Sequence, residues 1–352
     1  MEHSKLIRKQ QMVFHDIAGL IEGASKGEGL GNAFLGNIRT VSCILHVIRC
    51  FHDPEVLHVC DTPDPLRDIR IIENELILAD LQSIEKRLAG ANYKKGGGKS
   101  IEQIIQYKFL NVLKKLLESG IPAHILQNQV IPSELMYWSR LQLLTQKPMI
   151  YICNVGEEEV KNGNDMTKAV EKELQLTYTR YKEEGLKLFT EFGKEFEWAP
   201  ITPPSTTNTK IDNNNNEEIP VIRRICAKLE AEIITLSEQE RQEYLQAYGL
   251  TKNSLDNIIY ASAKALRLQT FYTVGPQEAR AWTIPYGATA PKAAGVIHSD
   301  MEQQFVRAEI VHYDDCVKHG TESNARKLCS RNEGKEYIMQ DGDVVYFKIS
   351  RK

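Results

Sequence analysis

Short apolar runs, separated by longer amphipathic stretches, mark the first part of the chain. The runs at 43–50 and 149–153 are nearly continuous in apolar side chains and rich in β-branched residues. Such runs are typical of strands buried on both faces of a parallel sheet. A shorter apolar run at 12–15 precedes Asp16 and predicts another strand. The pattern therefore indicates the α/β class.

Helical periodicity fills the interval between the two long runs. Apolar residues three and four positions apart predict helices over 67–90 and 101–118, and the segment between them is rich in Gly and Lys. Two long helices around a flexible tip predict a helical hairpin inserted into the α/β domain. Further helices are predicted over 166–196, 227–236 and 237–268.

The sequence changes character in two later places. Residues 198–218 are rich in Pro, Thr and Asn, and this composition predicts a disordered surface insertion. From about residue 280 onwards, short alternating segments predict a small β-rich domain. The Asp341-Gly342 pair predicts a hairpin turn before the last strand of that domain.

Composition then narrows the class of protein. The 352 residues suit two or three domains, and 44 Lys+Arg against 47 Asp+Glu exclude a uniformly basic nucleic-acid-binding surface. Seven Cys without a C-x-x-C pair favour thiols in a reducing, cytoplasmic compartment over zinc or disulfides. No apolar run reaches about 18 residues, and the first residues lack a signal-peptide core, so neither a membrane span nor secretion is predicted.

Asp16-Ile-Ala-Gly19 opens a Gly-rich segment directly after the first apolar run. A carboxylate at the end of a strand can reach Mg²⁺ directly or through water, and a Gly amide can donate to a terminal phosphate. The glycines that follow suit a mobile switch loop. Because D-x-x-G is a short motif, a strand end followed by a flexible turn explains the segment equally well.

Two later segments are similar to the motifs with which GTP-binding proteins bind the nucleotide base. Asn154-Val-Gly-Glu157 follows the second long run, at the place where GTP-binding proteins carry N-K-x-D and read guanine through the Asp. Val155 and Glu157 replace that Lys and Asp, so guanine recognition is compromised, and a polar strand-to-helix turn is the favoured interpretation of the segment alone. Ile225-Cys-Ala-Lys228 is similar to the S-A-K loop over the base but is uninformative by itself.

Longer matches give these segments a context. Residues 16–39, 47–53 and 64–86, with the stretch from Tyr272 that includes RAWTIPYGATAPKAAGVIHSD, resemble the Obg-like ATPase (YchF-type) family of P-loop NTPases. The resemblance covers nearly all of 12–352 except the insertion. It implies an α/β fold: a Ras-like P-loop NTPase sheet, incomplete here, with an inserted helical hairpin and a C-terminal β-grasp (TGS) domain.

The resemblance also implies a division into domains. The nucleotide-binding (OBG-type G) domain would comprise 1–70 and 147–236, and the hairpin 71–146. A helical connector would follow at 237–279, and the TGS domain, usually an interaction or regulatory module, at 280–352.

Function and site residues follow from the same resemblance. The family implies a cytoplasmic, ribosome- or translation-associated protein that prefers ATP to GTP and hydrolyses ATP with Mg²⁺. Asp16 would aid Mg²⁺ and Gly19 would sense the γ-phosphate. Leu20 stands in place of the usual water-positioning Gln, so hydrolysis should be slow without a partner. The implied adenine-binding residues are Asn154, Val155, Glu157, Cys226, Ala227 and Lys228.

One motif of the family is not found. The nearest segment to G-x-x-x-x-G-K-[ST] is Gly96–Ser100, which has Tyr93 in place of the first Gly and lies between helices, so it is interpreted as a flexible tip. A P-loop supplies the amide cradle for the phosphates and the Lys. We therefore expect an N-terminally truncated chain that alone binds ATP poorly or not at all. The alternative is a non-catalytic ribosome- or protein-binding module with a dead nucleotide site.

The hairpin tip is locally basic. Its neighbourhood contains a single acid, Glu102, and predicts a contact with a polyanion, for which ribosomal RNA is the candidate that the family implies. The alternative is a solvated helix face with a soluble tip. The basic residues are Lys94, Lys95 and Lys99 at the tip, followed by Lys108, Lys114 and Lys115. The sequence does not determine the oligomeric state.

Overall fold

A computed structural model describes residues 4–17, 30–58, 62–90, 101–129, 135–195, 220–250 and 252–350. The strands are β1 Leu6–Arg8, β2 Ile44–Arg49, β3 Met149–Asn154, β4 Val221–Ile225, β5 Leu268–Val274, β6 Glu278–Pro285, β7 Phe305–His312, β8 Arg331–Glu333 and β9 Asp343–Ile349. The α-helices are α1 Leu30–Thr40, α2 Pro65–Gly90, α3 Ile101–Glu118, α4 Leu135–Leu141, α5 Asp165–Glu195, α6 Ala227–Thr235, α7 Glu238–Ala247, α8 Ser254–Ala265, α9 Ala290–Ile297, α10 Ser299–Gln303, α11 Tyr313–Lys318 and α12 Glu322–Cys329.

The chain divides into two compact units. The α/β unit comprises His15–Ile258, and the C-terminal unit comprises Met1–Phe14 together with Ile259–Lys352. Among the residues listed above by range, no helix is long and apolar enough to cross a membrane.

The α/β unit is built on a parallel sheet in the order β2-β3-β4. Its central strand pairs Cys153 with Ile48 on one side and with Arg224 on the other. The two apolar runs of the sequence are therefore confirmed as parallel strands. β4 was less evident in the sequence because Arg223 and Arg224 interrupt its apolar character.

A separate apolar core holds the helices together. The predicted helices over 67–90 and 101–118 are confirmed as α2 and α3, and Ile84 and Phe109 from them are buried in one cluster with Trp138. The second half of α5 joins this cluster through Tyr181 and Phe189, whereas its first half packs on the sheet. The long helix α5 thus connects the sheet and the hairpin.

The strand predicted at 12–15 is wrong. Residues 9–17 form no regular secondary structure, and Val13 and Phe14 are 72% and 45% exposed. A four-residue apolar run forms a strand only where a neighbour accepts its backbone hydrogen bonds, and the described residues offer none beside this run. Instead β1, which lies earlier in a polar stretch, pairs in parallel with β6 of the C-terminal unit.

The C-terminal unit contains a mixed sheet in the order β1-β6-β5-β9-β7-β8. β5 and β6 form an antiparallel hairpin, β5 and β9 are parallel, and β9 is antiparallel to β7. Helix α9 packs on one face of this sheet, and its Ala293 and Ala294 lie in one buried cluster with Phe271 and Ile310.

The turn predicted at Asp341-Gly342 is present, but it does not form a hairpin. Gly342 has a φ of +88°, which favours glycine. Its amide donates to the Thr270 carbonyl at 2.9 Å, and Asp341 Oδ1 accepts from the Thr270 amide at 2.7 Å. The strand after the turn, β9, pairs with β7 and β5, because the turn is fixed to the start of β5 rather than to a preceding neighbour.

Candidate functional site

A cleft of about 650 Å³ opens at the carboxyl ends of the three parallel strands of the α/β unit. The segments that follow β2, β3 and β4 line it together with the start of α5. Ligands of open α/β sheets bind at this edge, and the volume is within the usual range for small-molecule sites.

Asn154 joins the end of β3 to the start of α6. Its Oδ1 accepts a hydrogen bond from the Ala227 amide at 3.0 Å. Cys226 occupies the N-cap position of α6 but makes no side-chain cap hydrogen bond, so Asn154 supplies the acceptor that this helix end needs. Val155 is buried and its amide donates to the Ile225 carbonyl at 2.9 Å. The structure thus brings two distant predicted segments together.

Glu157 and Lys228 meet at the wall of the same cleft. Lys228 Nζ lies 2.7 Å from Glu157 Oε1, and this ammonium holds the pKa of the Glu157 carboxyl below its usual value. The Tyr248 hydroxyl donates to Glu157 Oε2 at 3.2 Å. Tyr248 was missed in the sequence analysis, because it follows a polar helix and lies 91 residues away from its partner.

The opposite wall is formed by Phe51, His52 and Asp53 after β2. Arg49 stabilises this loop, since its guanidinium donates to the Asp53 carbonyl at 2.9 Å and to the Val56 carbonyl at 2.8 Å. These residues were also missed. The sequence does place Arg49 at the end of a predicted buried strand. It does not reveal which backbone carbonyls the arginine side chain will reach.

The cleft combines apolar and hydrogen-bonding groups. Met166 offers apolar surface in the lining, Val155 is buried at the same wall, and Asn154 offers a side-chain amide for a directional contact. A planar heterocycle with donors and acceptors along one edge suits such a lining.

The other predicted site residues are located as follows. Asp16 is exposed in the segment without regular structure. Gly19 and Leu20, the tip lysines Lys94, Lys95 and Lys99, and the insertion 198–218 lie outside the described residues. Within the described part of the chain, no group of three or more His, Cys, Asp or Glu side chains could hold a metal ion. A single carboxylate such as Asp16 still fits Mg²⁺, because this ion takes most of its ligands from phosphates and water when it binds with a nucleotide.

Comparisons with known proteins cover both units. Residues 2–154 match the family model described as "50S ribosome-binding GTPase", and residues 268–350 match the model of the YchF-type GTPase C-terminal region, described as "Protein of unknown function (DUF933)". The chain is 38% identical to the ribosome-binding ATPase YchF of Bacillus subtilis over 340 residues, which are 96% of this chain and 81% of the relative. This chain belongs to the YchF/Obg-like ATPase family.

Other family members are also similar to nearly the whole of this chain. Obg-like ATPase 1 of Caenorhabditis elegans is 35% identical over 343 residues, covering 95% of this chain and 75% of the relative. The structure of the Schizosaccharomyces pombe YchF GTPase matches with a TM-score of 0.73 and 30% identity, covering 98% of this chain and 82% of that one. The family resemblance predicted from the sequence is therefore confirmed, as is the mixed α/β fold with a P-loop GTPase-like domain and a C-terminal domain.

Proposed function

We propose that this chain is a ribosome-associated protein of the cytoplasm whose cleft binds the base of an adenine nucleotide. The observation that carries the proposal is the hydrogen bond between Asn154 Oδ1 and the Ala227 amide, which assembles the two predicted base-binding segments at one sheet edge. Relatives named as ribosome-binding ATPases support the nucleotide and the ribosome as partners.

The proposal includes a preference for ATP over GTP. The segment after β3 carries Val155 and Glu157 where guanine-binding proteins carry Lys and Asp. Val155 is buried beside the cleft and presents an apolar surface against which a purine ring can pack.

We further propose slow ATP hydrolysis as the activity of the complete site. Asp16 would hold Mg²⁺ directly or through water, and the bound ion would neutralise phosphate charge. The Gly19 amide would donate to the γ-phosphate. Leu20 has no polar group with which to orient a water molecule, so turnover would be slow without a partner.

The part of the proposed site that would bind the phosphates is less complete in this chain than the part that would bind the base. Its sequence contains no G-x-x-x-x-G-K-[ST] segment, and such a loop supplies most of the amides and the Lys that hold the phosphates. We propose that the 352-residue chain therefore binds ATP little better than adenosine. The alternative is a non-catalytic ribosome- or protein-binding module.

Calorimetric titration with adenosine and with ATP plus Mg²⁺ tests both statements. The expected result is weak binding of both ligands, with affinities within about tenfold of each other. The two affinities should be similar because the base, which both ligands share, would make most of the contacts. Micromolar binding of ATP that depends on Mg²⁺ would contradict the proposed phosphate weakness. No binding of adenosine at millimolar concentration would contradict the proposed base site.

The C-terminal unit is proposed to be a TGS-type interaction module. The order β6-β5-β9-β7-β8 within its mixed sheet, which is that of a β-grasp fold, supports this assignment. Contact with a macromolecular partner, rather than chemistry, is the function that such a sheet suits.

A further inference from the structure

The Glu157 carboxylate has both of its oxygens engaged. Lys228 Nζ lies 2.7 Å from Oε1, and the Tyr248 hydroxyl donates to Oε2 at 3.2 Å. Glu157 follows β3, Lys228 lies in the first turn of α6, and Tyr248 directly follows the last residue of α7. Three separate elements therefore meet at one carboxylate on the wall of the cleft.

Tyr248 is itself held in position by its own helix. α7 begins with a capping box, in which the Ser237 hydroxyl and the Glu240 side chain bond each other's backbone amides. The helix ends at Ala247, Tyr248 is its C-cap, and the next residue, Gly249, has a φ of +65°, which favours glycine. The ring of Tyr248 lies 5.3 Å from that of Tyr244, and the Tyr244 hydroxyl bonds Glu232 on α6. The direction of the Tyr248 hydroxyl is thus set by packing on α6.

The engagement of both oxygens matters for the choice of base. Guanine presents two adjacent N–H donors, and a carboxylate that recognises them must turn both oxygens toward the ring. Adenine presents one amine beside an accepting nitrogen, so it does not need that pair of oxygens. Each carboxylate oxygen can accept two hydrogen bonds, so the two protein donors do not saturate Glu157, but they fix its orientation. A carboxylate held in an orientation that does not present both oxygens to the ring penalises guanine and leaves adenine unaffected.

We propose that Lys228 and Tyr248 are positioning residues that keep Glu157 turned away from the base and so set the preference for adenine over guanine. This inference rests on the proposed function, because it concerns the same cleft. It adds the residues that discriminate between the two purines. Tyr248 has no counterpart among the residues that the sequence motifs indicated.

The expected size of the effect follows from exposure. The side chains of Lys228 and Glu157 are 72% and 33% exposed, so their ion pair is screened by water. An exposed ion pair changes an equilibrium by about fivefold at most, and a neutral hydrogen bond typically changes it by about two- to tenfold. The discrimination between adenine and guanine that Lys228 and Tyr248 provide is therefore modest, on the order of tenfold in total.

The test compares adenosine and guanosine binding to the full chain by calorimetry or ligand-observed NMR. In Tyr248→Phe, which loses only the hydroxyl, guanosine affinity should rise about threefold while adenosine affinity stays unchanged. In Lys228→Met, the ratio of adenosine to guanosine affinity should fall by about fivefold. Tyr260→Phe is the matched control, because it removes the hydroxyl of an exposed tyrosine on α8 that does not line the cleft, and it should keep the wild-type ratio.

Each outcome has a separate meaning. If the wild type and both variants bind adenosine and show the same ratio of adenosine to guanosine affinity, the proposed roles of Lys228 and Tyr248 are wrong and the proposed function stands. If the wild type binds neither nucleoside, the proposed function fails and the inference fails with it. The two variants alter different elements, so a folding defect in one of them does not prevent the other from deciding the question.

Discussion

Asn154 supplies a hydrogen-bond acceptor to a helix that begins 73 residues later in the chain. Replacing it with Ala leaves the Ala227 amide at the start of α6 without its partner, so the free energy of unfolding should fall by about 1 kcal/mol. Asn154→Asp keeps an acceptor at the same place and should stay close to wild type in stability. Urea denaturation measures both values, and equal stability of Asn154→Ala and the wild type would contradict the capping role.

Two half-buried histidines, each with a buried ring nitrogen, make the stability of the α/β unit dependent on pH. Burial lowers the pKa of His46 and of His124 from 6.5 to about 4. His124 Nδ1 bonds the Thr145 carbonyl at 3.1 Å, whereas its buried Nε2, like His46 Nδ1, has no hydrogen-bond partner among the described residues. A proton on either of these nitrogens would therefore be buried without an acceptor, which explains the direction of the shift.

The sign of the pH effect follows from these values. Between pH 6.5 and about 4 the unfolded chain binds these protons and the folded chain does not, so the free energy of unfolding decreases as the pH falls through this window. The slope is at most about 1.4 kcal/mol per pH unit for each histidine. Denaturation curves at pH 7.5, 6 and 5 measure it, and His124→Gln should flatten the dependence. A slope unchanged by that substitution would contradict the account for His124.

At the scale of elements, Asp80 fastens α2 to the segment that leads into β3. Its fully buried carboxylate accepts from the Leu144 amide at 2.8 Å and from the Thr145 amide and hydroxyl at 2.7 Å each. Asp80→Asn removes one acceptor oxygen from this group of donors and should lower the free energy of unfolding by about 2 kcal/mol. Asp165→Asn, at an exposed site on α5, is the matched control and should change little. A loss of similar size in both variants would contradict the role of Asp80.

The lysine-rich segment between α2 and α3, which lies outside the described residues, is the part of the chain for which we predict a ribosome contact. Lys94, Lys95 and Lys99 are close in sequence, and reversing all three to Glu should reduce co-sedimentation with ribosomes at low salt. Reversal of Lys172, Lys182 and Lys187, which are exposed on α5, controls for net charge. Equal binding by the two triple variants would argue against a contact at the tip. Lys114 is a weaker candidate, since it is paired with Glu85 at 2.9 Å.

Elements with a long periodic pattern were predictable from the sequence. The ends of α2, α3 and α5 fall within two residues of the expected ranges, because many apolar positions define each helix. Short elements were not predictable in this way. The run at 12–15 and the strand β1 show why: three or four residues form a strand only where a neighbouring strand is present, and local sequence does not reveal the neighbour.

At the scale of the whole molecule, the candidate site depends on contacts between distant segments. Sequence motifs located Asn154, Glu157 and Lys228, because these residue types occur at fixed offsets after predicted strands. The motifs did not indicate that Asn154 caps α6, nor that Tyr248 reaches Glu157, because both contacts depend on how the helices pack. The family comparisons account for the presence of the two units, and the structure adds which side chains meet in the cleft.

The central claim is that the cleft beyond β2, β3 and β4 holds an adenine base. The most direct measurement is backbone chemical-shift mapping by NMR while the labelled full chain is titrated with adenosine. The account predicts saturable shifts concentrated at 51–53, 154–159 and 226–228, the segments that line the cleft. Shifts confined to the C-terminal unit, or no saturable shifts up to millimolar adenosine, would contradict it.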